Sequence, residues 1–362
     1  MSGTVGTMVR VIRAEGWGSA ARRTRERIGE TLQLQGRLAR GLFARDEHAS
    51  LLNVLGMPAV ARLGGLPIQL RARLEEERHA RVVALLHPRV LEVGSHARPV
   101  RDLREALQRT GARTIHLEGT FGVPLAEVLR LNVEILLSLH DLALFEEPEP
   151  LRRELLQRAR AVIFPSAFLR ERYGVEGHVI EPGTPLVELP RVEGDRTRIA
   201  YAGSLKRHKG AHLLPELIAS TNAEWHLFGG GDEDLLHAVR GLPRVTLHGY
   251  HTSGTLPRLL REHRIGLAVL PSIVPESFGL TLSECWLAGV PAVAFAHGAL
   301  AERITHHGGG WLAPLSEGAA GLAAVVQRWQ HGDLHTTIPN TIPTPHDAAS
   351  AHLALYRASG WV

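Results

Sequence analysis

Two carboxylates with seven residues between them, Glu276 and Glu284, bracket the most chemically informative stretch of this chain. An apolar run, Ile265 to Leu270, precedes them and has the length of a buried parallel strand. Pro271 and Pro275 stop that strand, Gly279 permits a tight turn, and Leu282 to Ala288 reads as a helix ended by Gly289 and Pro291. A strand–loop–helix unit of this kind aims free backbone N–H groups and the positive end of a helix dipole at whatever lies above the loop, which suits phosphate. Carboxylates do not attract phosphate, but they accept paired hydrogen bonds from a vicinal diol such as that of ribose. Amides for phosphate and carboxylates for sugar hydroxyls together describe a nucleotide-sugar site. Acids are also common in first helical turns for dipole reasons alone, and spacing by itself does not separate the two readings.

A second anion element lies upstream. Of 41 Lys plus Arg, only Lys206 and Lys209 are lysine, and both fall in Gly203-Ser204-Leu205-Lys206-Arg207-His208-Lys209-Gly210. A glycine turn, several cations and a helix start make an anion site. No Gly-Lys followed by Ser or Thr is present, so this is not a Walker A loop. A solvated basic loop is the competing reading, and the pairing with the 275–284 loop in the same half of the chain weighs against it. His140-Asp141 follows the run Glu134 to Leu139 and would stand at the C-terminal end of a strand, where doubly wound sheets bind ligands. His140 could hold a sugar hydroxyl or exchange protons near neutrality, or it could be a core-edge histidine bonded to backbone. Gly229-Gly230-Gly231 lacks the spacing of a dinucleotide fingerprint.

The elements that must position these residues alternate. Strands are expected at Leu51–Leu55, Arg81–Leu86, Arg89–Val93, Thr114–Leu117, Glu134–Leu139 and Ala161–Phe164, with helices at Ile68–Arg78, Leu103–Gly111, Pro124–Leu131 and Leu151–Ala159, and a helix capped by Ser166. Pro182, Pro185 and Pro190 with Gly183 and Gly194 mark a linker. The rhythm then restarts: strands at Arg198–Ala202, Trp225–Phe228, Val245–His248 and Ala292–Phe295 join the Ile265–Leu270 strand, with a helix over Ala211–Ser220. Thr336–Pro345 reads as a connector and Asp347–Arg357 as a final helix. Such alternation predicts parallel sheets covered on both faces.

These pieces resemble the family 4 glycosyltransferases. The resemblance runs through Tyr201-Ala202-Gly203 with Lys209-Gly210, Leu227 to Gly231, Leu270-Pro271-Ser272, Glu276-Ser277-Phe278-Gly279-Leu280 with Glu284, Ala288 to Pro291, and Glu302 with Gly310-Trp311-Leu312. It is looser at Gly64-Gly65, Leu139-His140-Asp141, Phe164-Pro165-Ser166 and Pro182-Gly183, and covers roughly residues 51–330. It implies an α/β protein of the GT-B fold, two Rossmann-like doubly wound domains facing across a cleft. The expected division is a basic helical arm at 1–48, an acceptor-side domain at 49–185 plus 345–362, and a nucleotide-sugar-binding domain at 186–344. It implies transfer of a sugar from a nucleoside-diphosphate sugar to the hydroxyl of a saccharide or lipid-linked acceptor, with retention of configuration and no bound metal or other cofactor. Assembly of cell-surface polysaccharide or glycolipid is the expected setting.

The resemblance also assigns residues. Glu276, His140 and Lys209 would be catalytic, Lys209 neutralising the departing diphosphate. Glu284 would bind ribose, and Phe278, Gly279, Leu280 and Thr281 would meet sugar and phosphates through backbone. Gly203, Lys206 and Arg207 would line the anion loop, Gly64 and Gly65 would let backbone approach the diphosphate, and Gly229, Gly230 and Tyr250 would lie near the base. The family usually places Arg directly after the loop glycine, where this chain has Ser204. That departure keeps open a catalytically silent nucleotide-sugar-binding scaffold, and the fold also serves sugar-nucleotide epimerases. A pyridoxal-phosphate phosphorylase would need a Schiff-base lysine, and the only two lysines are already claimed by the anion loop.

Charge and composition narrow the partners. Formal net charge is +4, and residues 1–50 carry it all, with nine Arg against five Asp or Glu. The remainder is balanced, so nucleic acid is not an expected partner. The arm would either touch an anionic membrane surface or pack on the body or a second subunit, and its narrow apolar stripe favours packing. The single cysteine, Cys285, excludes an internal disulfide and fits a reducing compartment. No run approaches about 18 apolar residues and no signal-peptide core is present, so a cytoplasmic protein is expected, at the inner membrane face if the arm binds lipid.

Overall fold

The computed structural model describes residues 33–41, 48–56, 65–78, 83–187, 189, 192–251 and 254–362. These form two compact units. One contains the described residues between 33 and 185 together with Pro343–Val362, and the other is Leu186–Ile342.

The first unit opens with helix α1, residues 33–41. Its sheet comprises β1 (Leu51–Val54), β2 (Val83–His87), β3 (Val90–Val93), β4 (His96–Pro99), β5 (Thr114–Glu118), β6 (Glu134–Ser138), β7 (Ala159–Phe164) and β8 (His178–Val179), in the order β4-β3-β2-β1-β5-β6-β7-β8. Strands β2, β1, β5, β6, β7 and β8 pair in parallel, whereas β3 and β4 are antiparallel additions. This corrects the purely parallel sheet expected from the alternation, and β4 went unread in the sequence. Only Pro88 and Arg89 separate β2 from β3, and two residues can close a hairpin but not a crossover.

Helices α2 (Gly65–Arg78), α3 (Leu103–Thr110), α4 (Leu125–Val128), α5 (Glu149–Arg158) and α6 (Ala167–Tyr173) connect these strands. The Ser166 hydroxyl accepts the Leu169 N–H at 3.2 Å and caps α6. The expected helix over Pro124–Leu131 shrinks to the single turn of α4. Strand alternation builds two cores: Leu52 and Val54 face one, and Leu51 and Leu55 face another shared with Leu70 and Leu74 of α2 and Tyr356 of the C-terminal helix. Helix α1 docks on the β3–β4 hairpin, where Arg37 pairs with Glu92 at 2.5 Å and donates to the Gly94 carbonyl at 3.0 Å. Packing on the body is therefore observed for 33–41, and the rest of the 1–48 arm lies almost wholly outside the described residues.

In the second unit, β9 (Asp195–Ala202), β10 (Glu224–Phe228), β11 (Val245–Gly249), β12 (Ile265–Leu270), β13 (Ala292–Phe295) and β14 (Gly310–Ala313) form an all-parallel sheet ordered β11-β10-β9-β12-β13-β14. Strand order reverses between β9 and β12, so their C-terminal ends flank a topological switch point. The helices are α7 (Leu214–Ala219), α8 (Glu233–Val239), α9 (Leu256–Glu262), α10 (Leu280–Leu287), α11 (Gly298–His307) and α12 (Gly318–His331). Ile199 and Tyr201 of β9 pack with α7, α8 and α12, and Ala200 and Ala202 pack with α9, α10 and α11. The segment expected to be helical over Ala211–Ser220 begins as a 3-10 turn, Ala211–Leu213, and becomes α-helical only at Leu214, with Pro215 in the first turn where its missing N–H costs nothing. The chain closes with α13 (Pro345–Ala358), which belongs to the first unit and is started by a Thr344–Asp347 capping box.

Candidate active site

Strands β9 and β12 deliver the two informative loops to one place. The loop after β9 is held by Tyr201, whose hydroxyl donates to the Ser204 carbonyl at 2.7 Å. It is joined to the loop after β12 through the His208 carbonyl, which accepts the Ile273 N–H at 3.1 Å and the Ser272 hydroxyl at 3.2 Å. Across this seam Lys209 Nζ stands 2.5 Å from Glu276 Oε1, both side chains half-buried. Burial, and after it the Glu276 carboxylate, pushes the Tyr201 phenol up from its usual value. The two sequence-predicted catalytic groups of this unit are thus in direct contact. Lys206 and Arg207 remain exposed, Arg207 lying 4.0 Å from Asp234, so of the loop cations Lys209 is the one turned to the acid.

Helix α10 begins directly after the loop. Gly279 is its N-cap at φ 81°, no side chain caps the helix, and the Leu282 N–H turns back to the Gly279 carbonyl at 3.0 Å. Phe278 is buried, whereas Gly279, Leu280 and Thr281 are partly exposed. Glu284 sits one turn further on, half-buried, and burial lifts its carboxyl to about 7 against an opposing hydrogen bond from the Gly254 N–H.

Sequence reasoning missed the group that fixes this turn. Arg303 of α11 is buried with its guanidinium 3.9 Å from the Phe278 ring centroid. It donates to the Phe278 and Gly279 carbonyls at 3.3 and 3.1 Å and to the Ser283 hydroxyl at 2.7 Å. An arginine in an ordinary helix carries no local sequence signal for such a task. The glycine run does have a structural reason. Gly229, at φ 145°, lies so close to the β9 loop that a Cβ would stand 1.8 Å from the Gly203 carbonyl oxygen. Gly230 accepts the Leu205 N–H at 2.9 Å, and the Gly229 N–H donates to Gly249 at 2.8 Å, next to Tyr250. Gly203, Gly229, Gly230 and Gly249, which precedes Tyr250, therefore meet at the loop after β9.

In the other unit, Gly64 lies outside the described residues and Gly65 opens α2. His140 follows β6, and its Nε2 is 3.4 Å from Glu118 Oε2 at the end of β5. Glu118 belongs to a buried polar network that the sequence did not reveal. Arg73 of α2 pairs with Glu118 and, at 2.9 Å, with Glu77, and it donates to His352 Nε2 of α13 at 2.8 Å. His116 bonds the Tyr356 hydroxyl and the Ser138 hydroxyl, each at 2.7 Å. One buried guanidinium serves two buried carboxylates. Desolvation pushes both acids up; Arg73, His116 and His140 outweigh it at Glu118 and hold it well below the usual range, while Glu77 is left at about 7.

Comparison with known proteins bears on the fold. Residues 196–331 match the family model described as "Glycosyl transferases group 1". No curated protein matches the sequence. Among solved structures, sucrose-phosphate synthase (tll1590) from Thermosynechococcus elongatus superposes with a TM-score of 0.67 at 20% identity, covering 86% of this chain and 99% of that one. The lipopolysaccharide outer core galactosyltransferase WaaB in its apo form gives 0.65 at 14% identity, with 85% and 99% covered. Anabaena Alr3699/HepE in complex with UDP gives 0.62 at 17% identity, with 84% and 94% covered. At these identities the likeness defines the fold: an α/β chain of two parallel-sheet domains, GT-B, as the motifs led one to expect.

Proposed function

We propose that this protein is a glycosyltransferase that uses a nucleoside-diphosphate sugar. The Lys209–Glu276 contact carries the reading, because two loops from adjacent strands at a switch point place a cation and a carboxylate beside an uncapped helix start. The diphosphate would lie over the first turn of α10, with Lys209 released from Glu276 to neutralise charge as the leaving group departs. Glu276 would then be free to accept hydroxyls of the donor sugar, and Glu284 would hold the ribose diol. Lys206 and Arg207 supply further positive potential at the mouth of the site and offset the absence of an arginine at Ser204. His140, in the other unit, keeps its proposed catalytic role. The sugar is proposed to leave with retention of configuration and without a metal at the reacting centre, for a saccharide or lipid-linked acceptor. The match of residues 196–331 to the glycosyl transferases group 1 model supports this reading, and the UDP in the HepE structure makes uridine diphosphate sugars the first donors to try.

No helix among the described residues is long and apolar enough to cross a membrane. A cytoplasmic location, with lipid contact through the arm, is part of the proposal. A thermal-shift screen of nucleoside diphosphates and their sugars, followed by assay of nucleoside diphosphate release on adding acceptor, tests the reading. Binding followed by acceptor-dependent release supports a transferase. Binding without release for any acceptor would leave a scaffold, and no shift with any nucleotide would refute the site.

A further inference from the structure

Away from the two loops, three histidines from three elements of the Leu186–Ile342 unit converge. His226 lies in β10, His248 in β11, and His263 directly follows α9. One ring nitrogen of each lies within 4.8 Å of the others. His226 Nδ1 and His248 Nε2 are 3.0 Å apart and share a hydrogen bond, and the rings of His248 and His263 have centroids 4.3 Å apart.

The backbone departs from regularity at two of the three. Leu227 pairs with Leu247 but Phe228 pairs with Gly249, so His248 is the extra residue of a bulge. A bulge re-aims a side chain. Here His248 lies flat on Phe228, with centroids 4.3 Å apart and planes 8° apart, and its Nε2 reaches His226. Arg264, immediately after His263, takes φ 52°, a left-handed conformation that non-glycine residues seldom adopt. That turn ends α9 and leaves His263 beside the other two.

We propose that His226, His248 and His263 form a binding site for one divalent transition-metal ion of the zinc class. Neutral imidazoles without a carboxylate suit Zn(II), Co(II), Ni(II) or Cu(II) rather than Mg(II) or Ca(II). Tetrahedral zinc with bonds of about 2.0–2.1 Å separates its nitrogen ligands by about 3.3 Å, close to the His226–His248 spacing. The ion takes the place of the proton those two rings share, and a rotation of His263, which is only half-buried, brings in the third ligand. A fourth position stays open to water. The nearest charged groups named by the structure, Arg198 and Glu224, pair with each other at 3.1 Å, so the arginine's positive charge is offset locally.

The ion would tie the two ends of the segment running from β11 through α9. That segment contains Gly254, the N–H donor to Glu284. The three histidines are none of the residues proposed for sugar transfer, so the site stands or falls independently of that metal-free reaction.

The test uses the full-length protein stripped by chelator. Titration calorimetry with zinc chloride, and the visible spectrum on adding cobalt chloride, read binding directly. The expected result is about one equivalent bound at micromolar affinity or tighter, with an intense tetrahedral cobalt band and a raised Tm. His248→Phe keeps a flat ring against Phe228 and removes a ligand, and His263→Gln removes another. Each is expected to weaken zinc binding by about 100-fold, near the upper end of what loss of a supporting group costs, since here a ligand itself is lost. If both variants bind zinc as tightly as the wild type, or the wild type binds no stoichiometric ion, the proposal is overturned. Should the variants fail to fold, X-ray absorption of the zinc-loaded wild type decides: three imidazoles near 2.0 Å support the site, and fewer overturn it.

Discussion

On the proposed reading, Glu284 would make nucleotide binding sensitive to pH, in a direction set by its raised carboxyl. Burial raises its carboxyl from 4.5 to about 7. A diol donates two hydrogen bonds to a carboxylate, whereas the acid form has one oxygen occupied by its own proton. Nucleotide binding through Glu284 therefore selects the ionised form. With a value near 7, roughly a tenth of the protein is competent at pH 6 and roughly nine-tenths at pH 8. The apparent Kd for UDP is expected to fall about tenfold over that interval. At pH 6 binding should also release close to one proton from Glu284, read by calorimetry in buffers of different ionisation enthalpy. The terminal phosphate of the nucleotide titrates in the same range, so Glu284→Gln is the control: it keeps the ligand's own pH dependence and loses the protein's. The sign for the unliganded fold is opposite. An acid whose folded value is raised stabilises the fold fully below 4.5, and that contribution is lost as pH rises through about 7. Parallel pH profiles for the wild type and Glu284→Gln would refute the assignment of the ribose contact to this carboxylate.

Other consequences follow from the contacts around the loops. Lys209→Ala is expected to lower kcat by on the order of 100-fold or more, because the charge facing a departing diphosphate is the main electrostatic contribution; near-normal turnover would exclude that role. Glu276→Gln should reduce kcat more than nucleotide affinity, the reverse of Glu284→Gln, and steady-state kinetics beside nucleotide titration would expose a swap. Gly229→Ala places a methyl 1.8 Å from the Gly203 oxygen, and should destabilise the fold by at least about 2 kcal/mol in urea while abolishing the nucleotide-induced rise in Tm. Arg73→Met strands two buried carboxylates and should cost roughly 3–5 kcal/mol at pH 8, less at pH 6 where both acids can protonate; an equal loss at both values would show that the network is not held by this charge.

Much of this architecture was legible in the chain because its signals are local. A buried strand such as Ile265–Leu270 needs an unbroken apolar run, Gly279 marks the turn before α10, and Ser166 supplies its own helix cap. The direction of β3 after β2 was misread because it depends on the length of the turn rather than on apolar pattern. Arg303, Arg73 and Glu118 gave no signal at all. Their decisive partners lie 20 to 279 positions away, Arg73 meeting only Glu77 locally, and such an arginine looks in sequence like any solvated helical cation.

What the sequence determined by itself was the repertoire: a twice-used βα rhythm, two lysines in one glycine-bounded loop, and two glutamates with seven residues between them around another. Propensity, turn chemistry and side-chain periodicity act within a few residues, so they can be read along the chain. Only the tertiary structure decided that Lys209 meets Glu276, because that contact depends on β9 and β12 being neighbours where the strand order reverses. It also decided the state of the acids. The raised carboxyls of Glu284 and Glu77 and the ionised Glu118 are set by burial and by which cations lie alongside, and both come from packing between elements distant in the chain.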